Sequence, residues 1–397
     1  MRSASVGLRR RALARTSLLL VMSASVVAGC GSGGSDDSAQ RTTTTAAATT
    51  TTVPPEGAYS EPGPYQVGVT TLTLDDGNLA EVWYPAAEGA ADGKAKDVYS
   101  LASWLPEGLR SKVPPDSDGY EQNAYRDVEA SDEGPFPVVL FSHGFASFRD
   151  QSTFLTTHLA SWGMVVAAPD HPSRGLLSVM GGENPDDATL SVTDMKNALA
   201  AVDAETSRAG GPLEGIADGD RVAAIGHSAG GRTILGLAAD PEVGPRIDTY
   251  VSLASGAWDS GELPDVPSLF MSGTGDDIVD PAVTIEAYTS APAPKRLYQF
   301  EGAGHLAFSD ICAIGADQGG VLALADTFGI EIPADLRRLA SDGCYPDETP
   351  PADVWPAVCH FTTAHLRAVW GIDPTPVGLD DVDAFDGLSI EVKHADG

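Results

Sequence analysis

Apolar positions fall into short continuous runs separated by stretches with helical spacing. Residues 66–74 and 79–84 are joined by Asp75-Asp76-Gly77-Asn78 and predict an antiparallel hairpin, because Asp, Gly and Asn supply the backbone angles of a tight turn. A polar, Pro-rich excursion follows. Beyond it, runs at 137–142, 164–168, 222–225, 250–254, 268–271 and 296–300 hardly alternate with polar residues, as strands covered on both faces do. Helical spacing fills the intervals near 152–162, 189–208, 229–239 and 281–290, and 306–370 adds further helix, including 353–370. Buried strands alternating with helices predict an α/β fold: a mainly parallel central sheet with helices on both faces.

The first residues have neither rhythm. Arg2, Arg9, Arg10, Arg11 and Arg15 form a basic head with no acid, and 17–28 is small and apolar, too short to span a bilayer comfortably. The stretch ends Val27-Ala28-Gly29-Cys30, which resembles a bacterial lipobox, where cleavage before the cysteine frees its sulfur for diacylglycerol. The expectation is a lipoprotein signal peptide over 1–29, lipidation at Cys30, and an exported protein anchored in the outer face of the bacterial cell membrane. Residues 30–60, rich in Thr, Ser, Gly and Ala, lack the apolar content to fold and predict a disordered tether. With no second linker and no repeat, 61–397 reads as one catalytic domain with a helical C-terminal extension.

Composition narrows the function. The chain of 397 residues is 42% hydrophobic and carries a formal charge of -32. Such a surface repels phosphate backbones, so nucleic acid is excluded as a partner. If Cys30 is lipidated, Cys312, Cys344 and Cys359 remain in an oxidising compartment. One disulfide and one buried thiol is the simplest arrangement. Cys312 with Cys344 is the expected pair, since Cys359 sits in an apolar helical pattern. No Cys-x-x-Cys or paired-His spacing points to a metal.

The chemistry gathers around Gly226-His227-Ser228-Ala229-Gly230-Gly231, between an apolar run and a helical stretch. Strand, Gly-x-Ser-x-Gly, then helix puts a serine on a strained turn above the sheet, with the helix N-terminus behind it. Ser228 is the expected nucleophile. It needs a base, and His305, in the Gly-rich Gly302-Ala303-Gly304-His305 after the last strand, is the candidate. His171, after the strand at 164–168, is a candidate pocket residue; His158, His360 and His365 read as structural, and His394 as part of a frayed end. The imidazole needs a carboxylate. Asp276 and Asp277 both follow the strand at 268–271; spacing from Gly273 favours Asp276, spacing from Pro281 favours Asp277, and Asp276 is preferred. Asp280, before Pro281, reads as a helix N-cap. An oxyanion hole needs two backbone N–H donors: Ala229, after the nucleophile, and Phe145, after the strand at 137–142.

Three segments, 134–145, 226–231 and 302–305, resemble the dienelactone hydrolase-like branch of the α/β-hydrolases, which includes bacterial cutinase-like polyester hydrolases and platelet-activating-factor acetylhydrolase-like enzymes. The resemblance covers about 65–310. It implies ester hydrolysis through an acyl-enzyme on Ser228, with no metal or organic cofactor, on a small-molecule or lipid-like ester. Two departures, Ala229 where cutinase-like enzymes usually carry Met and a longer chain after His305, count against polyester hydrolysis. The stretch from Cys312 to Cys359 is expected to cap or narrow the acyl pocket. The same triad would serve an amidase, peptidase or thioesterase, and a catalytically dead binding lipoprotein is the reading from a different class.

Overall fold

The computed structural model describes residues 56–397 apart from 116, 118, 184–185 and 257–262. The expected signal peptide, Cys30 and most of the expected tether lie outside the described residues. In chain order the elements are β1 (Val67–Thr73), β2 (Leu79–Pro85), β3 (Val98–Tyr99), α1 (Glu107–Arg110), β4 (Tyr120–Glu121), β5 (Tyr125–Arg126), β6 (Phe136–Ser142), α2 (Thr153–Ser161), β7 (Val165–Pro169), α3 (Leu176–Met180), α4 (Ala188–Ser207), β8 (Ala217–His227), α5 (Ala229–Ala238), β9 (Ile247–Leu253), β10 (Ser268–Gly273), α6 (Pro281–Ser290), β11 (Lys295–Phe300), α7 (Gly320–Thr327), α8 (Ala334–Leu339), α9 (Pro351–Val369) and β12 (Ile390–Ala395).

Ten strands form one sheet in the order β12-β11-β10-β9-β8-β6-β7-β2-β1-β5. The run from β11 to β7 is parallel, while β12, β2 and β1 pair antiparallel. The near-continuous apolar runs follow from burial on both faces. On β6, Val139 and Phe141 enter one core with Leu155 and Leu159 of α2 and Phe361 of α9; Val138 and Leu140 enter the other with Leu199 of α4, Ile234 of α5 and Ala287 of α6. This is a mostly parallel sheet with helices on both faces, the α/β-hydrolase arrangement.

Three departures from the sequence reading have local causes. Packing starts before residue 61: Tyr59 is buried, its N–H donates to His360 Nδ1 at 3.1 Å, and its ring meets Trp162 edge-on. Gly57 N–H also donates to Asp381 Oδ2 at 3.0 Å, so the end of a segment that looks like linker by composition is tied to the domain. His394 is no part of a frayed end, because it lies in β12, which pairs with β11 and closes that side of the sheet. The Pro-rich excursion contributes β3, β4 and β5, too short to leave a periodic signal.

Candidate active site

Strand β8 delivers Ser228 at the carboxyl end of the parallel strands. There the chain turns sharply into α5, with Ser228 at φ 55° and ψ -121°, a conformation rare for a residue with a side chain. The turn is possible only because its neighbours are small. A Cβ on Gly226 would collide with the Gly230 carbonyl, and one on Gly230 with that of Ser142. Ser228 N–H donates to Leu253 O at 2.9 Å, tying the turn to β9.

The loop after β11 brings His305 to the same place. Its Nδ1 donates to Asp276 Oδ2 at 2.8 Å, while its Nε2 has no hydrogen-bond partner. That directional pair sets the tautomer that leaves Nε2 free to accept a proton. Asp276 is fixed in turn, since its Oδ1 accepts the N–H groups of Ile278 at 2.9 Å and Val279 at 2.7 Å. Asp277 is exposed and its carboxylate makes no hydrogen bond to His305 among the described residues; its N–H donates to Asp342 Oδ2 at 3.1 Å and its carbonyl accepts Arg338. Asp280 caps α6 by accepting from Ala282 N–H at 2.9 Å. Phe145 lines the same cavity as Ser228, Ala229 opens the helix that follows Ser228, and neither N–H donates to a protein acceptor among the described residues.

Supporting groups left no motif in the sequence. Gln151 Oε1 accepts Gly144 N–H at 2.8 Å, its Nε2 donates to His227 Nδ1 at 2.9 Å, and His227 Nε2 donates to His305 O at 3.0 Å. One chain of bonds thus links the loop of Phe145 to the loop of His305. Asp342 is buried, accepts His305 N–H on Oδ1 at 2.5 Å and Asp277 N–H on Oδ2, and its own carbonyl accepts Leu306 N–H. It lies two residues before Cys344, which forms a disulfide with Cys312. Cys359 is a buried free thiol in α9, pushed above its ordinary range by burial.

Ser228, His305 and Phe145 line a cavity of about 600 Å³. Much of its far wall is the disulfide-closed loop: Ile314, Val321, Leu324, Phe328, Ile330 and Leu336 all lie between the two cysteines. No Lys or Arg lines the cavity among the described residues, and its acids are Glu121 and Asp317. Among the described residues no group of His, Cys, Asp or Glu is arranged to hold a metal.

His171 does not line this cavity. It is fully buried, with Nε2 2.9 Å from Ser142 Oγ and Nδ1 3.0 Å from Asp194 Oδ2. Burial and the nearby Arg174 cation hold its imidazole neutral. The molecule therefore contains a second Ser–His–Asp network, with Arg174 Nη2 donating to Ser142 Oγ at 2.9 Å.

A serine on a strained elbow, a base with its acid, two unengaged N–H groups and an apolar cavity define a serine hydrolase that cleaves carboxylic esters through an acyl-enzyme on Ser228. Comparison with known proteins agrees with this class. A profile of the chlorophyllase family matches residues 127–247. Platelet-activating factor acetylhydrolase from Cavia porcellus is 23% identical over 338 residues, covering 70% of this chain and 75% of the relative. A ferulic acid esterase from Streptomyces cinnamoneus superposes with a TM-score of 0.59 at 21% identity, over 84% of this chain and 98% of that one, a likeness of fold. The chain has the α/β-hydrolase superfamily fold and is related to these proteins.

Proposed function

We propose that the enzyme hydrolyses neutral carboxylic esters with a bulky apolar portion, held at the outer face of a bacterial membrane. The cavity carries the substrate class. It is large enough for a drug-sized ligand, lined largely by aliphatic and aromatic side chains, and holds no cation among the described residues that would receive a phosphate or carboxylate. A formal charge of -32 works against anionic substrates in the same direction.

In the proposed cycle Ser228 Oγ attacks the ester carbonyl as His305 Nε2 takes its proton. The N–H groups of Phe145 and Ala229 receive the oxyanion. Protonated His305, steadied by Asp276, then hands its proton to the departing alcohol, and water repeats the sequence on the acyl-enzyme. Relatives named as an esterase and an acetylhydrolase support an ester as substrate.

The test is a p-nitrophenyl ester series on the full-length protein. From acetate upward, kcat/KM rises by about fourfold for each methylene the cavity buries. A carboxylate at the end of the acyl chain reverses that gain, and anilides react far more slowly. A flat series, or preference for the anionic ester, sinks the substrate assignment.

The membrane location rests on the sequence ending at Cys30. In a bacterial host fed an alkyne fatty acid, the wild-type chain takes up label and Cys30→Ala does not. Equal labelling of both removes the anchor from the account.

A further inference from the structure

We infer that Arg174 is a positioning residue for the oxyanion hole, holding the two segments that carry its N–H donors. The inference rests on Phe145 and Ala229 being those donors. Arg174 follows β7, is 1% exposed and does not line the cavity, so it does not meet substrate. Its bonds reach both the loop of Phe145 and the helix that begins at Ala229.

On the Phe145 side the grip is double. Nη2 donates to His143 O at 2.7 Å, and the Arg174 carbonyl accepts Ala146 N–H at 2.9 Å. The peptide carrying the Phe145 N–H therefore runs between two anchors on one residue. Ala146 has a φ of 52°, costly for a side chain unless its surroundings hold it. On the Ala229 side, Nη1 donates to Thr233 Oγ1 at 2.7 Å, and Thr233 Oγ1 donates to Ala229 O at 3.3 Å. One planar guanidinium thus fixes the spacing between a loop and a helix that nothing in the sequence joins. A planar fork with several donors suits that task better than a point charge.

The second Ser–His–Asp network sets the arginine in place. Arg174 Nη2 donates to Ser142 Oγ, Ser142 donates to His171 Nε2, and His171 Nδ1 donates to Asp194. Every bond runs one way, from cation to carboxylate. That connects a buried positive charge to an acid without bringing the two into contact. Burial lowers the Arg174 pKa to about 9, which leaves it cationic at neutral pH.

An arginine that merely filled the core would affect folding alone. An arginine that positions the hole would weaken transition-state binding with little effect on substrate binding. The experiment compares full-length wild type, Arg174→Met and Arg174→Lys. It measures kcat and KM on p-nitrophenyl butyrate, Tm, and inhibition by an alkyl trifluoromethyl ketone, whose tetrahedral adduct places an oxyanion where the donors converge. For Arg174→Met, kcat falls by about 10- to 100-fold with KM nearly unchanged, and the ketone weakens in proportion. Arg174→Lys recovers part of both losses.

If Arg174→Met does not fold, Thr233→Val decides. It removes the link to Ala229 at similar volume and costs about fivefold in both kcat and ketone affinity, the worth of one hydrogen bond. Folded variants with unchanged kcat and unchanged ketone affinity overturn the role of Arg174. So does a loss of kcat that leaves ketone affinity intact. A wild-type enzyme that hydrolyses the ester yet ignores the ketone overturns the donor assignment itself, and the inference with it.

Discussion

Ser228 and Ser142 each stand at the end of a parallel strand, each with a histidine and an aspartate behind it, yet their surroundings differ in every respect that matters for attack. Ser228 sits on a strained turn, half-buried, facing a cavity, and the Nε2 of its histidine is unengaged. Ser142 ends β6, is fully buried, accepts from an arginine and donates to a histidine whose other nitrogen is held. A nucleophile needs a free lone pair, a route for substrate and donors for the oxyanion. Ser142 has no route for substrate, since it is fully buried and does not line the cavity, and its hydroxyl is tied to Arg174 and His171. Residue identities and distances near 3 Å do not make a catalytic triad; access and unspent hydrogen-bonding capacity do.

The comparison breaks most visibly at the serines. Ser228→Ala costs at least about 10⁴-fold in kcat/KM, the loss typical of a triad nucleophile, whereas Ser142→Ala, which loosens only the seat of Arg174, stays within about tenfold. Equal losses would erase the distinction. The acids come next. Asp276→Asn costs about 10⁴-fold through the wrong histidine tautomer, and Asp194→Asn about tenfold or less, read as kcat on p-nitrophenyl butyrate.

Smaller effects sharpen the picture around His305. Asp342→Ala frees the backbone of His305 and the loop of Asp277, and kcat falls by about 100-fold, as a displacement near 1 Å would cause, while Ser228 still reacts slowly with a fluorophosphonate. An unchanged kcat would strip Asp342 of that role. The disulfide gives the smallest catalytic effect and a clear thermal one. Cys312 and Cys344 are 32 residues apart, so replacing both with serine lowers stability by about 3–4 kcal/mol if the loop is otherwise unstrained. Because the closed loop forms the cavity wall, KM rises for octanoate esters and not for acetate. A parallel rise for both would place the loop outside the substrate site.

Much of the frame was legible in the sequence, for a physical reason. Strands buried on both faces must be apolar throughout, so β6, β7, β8, β9, β10 and β11 announced themselves within a few residues of their ends. The turn around Ser228 was legible because only glycine fits beside it, and the disulfide because Cys359 lay in a helical pattern. Arg174, Gln151 and Asp342 were not legible. Arg174 and Asp342 act through backbone atoms 31 and 37 residues away, and Gln151 through the nearby Gly144 N–H and the His227 ring; such contacts carry no sequence signature. His171 stayed open between pocket and core for the complementary reason: a histidine just past a strand end looks the same whether it faces a cavity or a core.

The most direct measurement is to incubate the full-length protein with a fluorophosphonate and map the modified peptide by mass spectrometry, in wild type, Ser228→Ala and Ser142→Ala. The account predicts a single adduct on Ser228, absent from Ser228→Ala and retained in Ser142→Ala. An adduct on Ser142, or none on wild-type protein that is demonstrably folded, would contradict it.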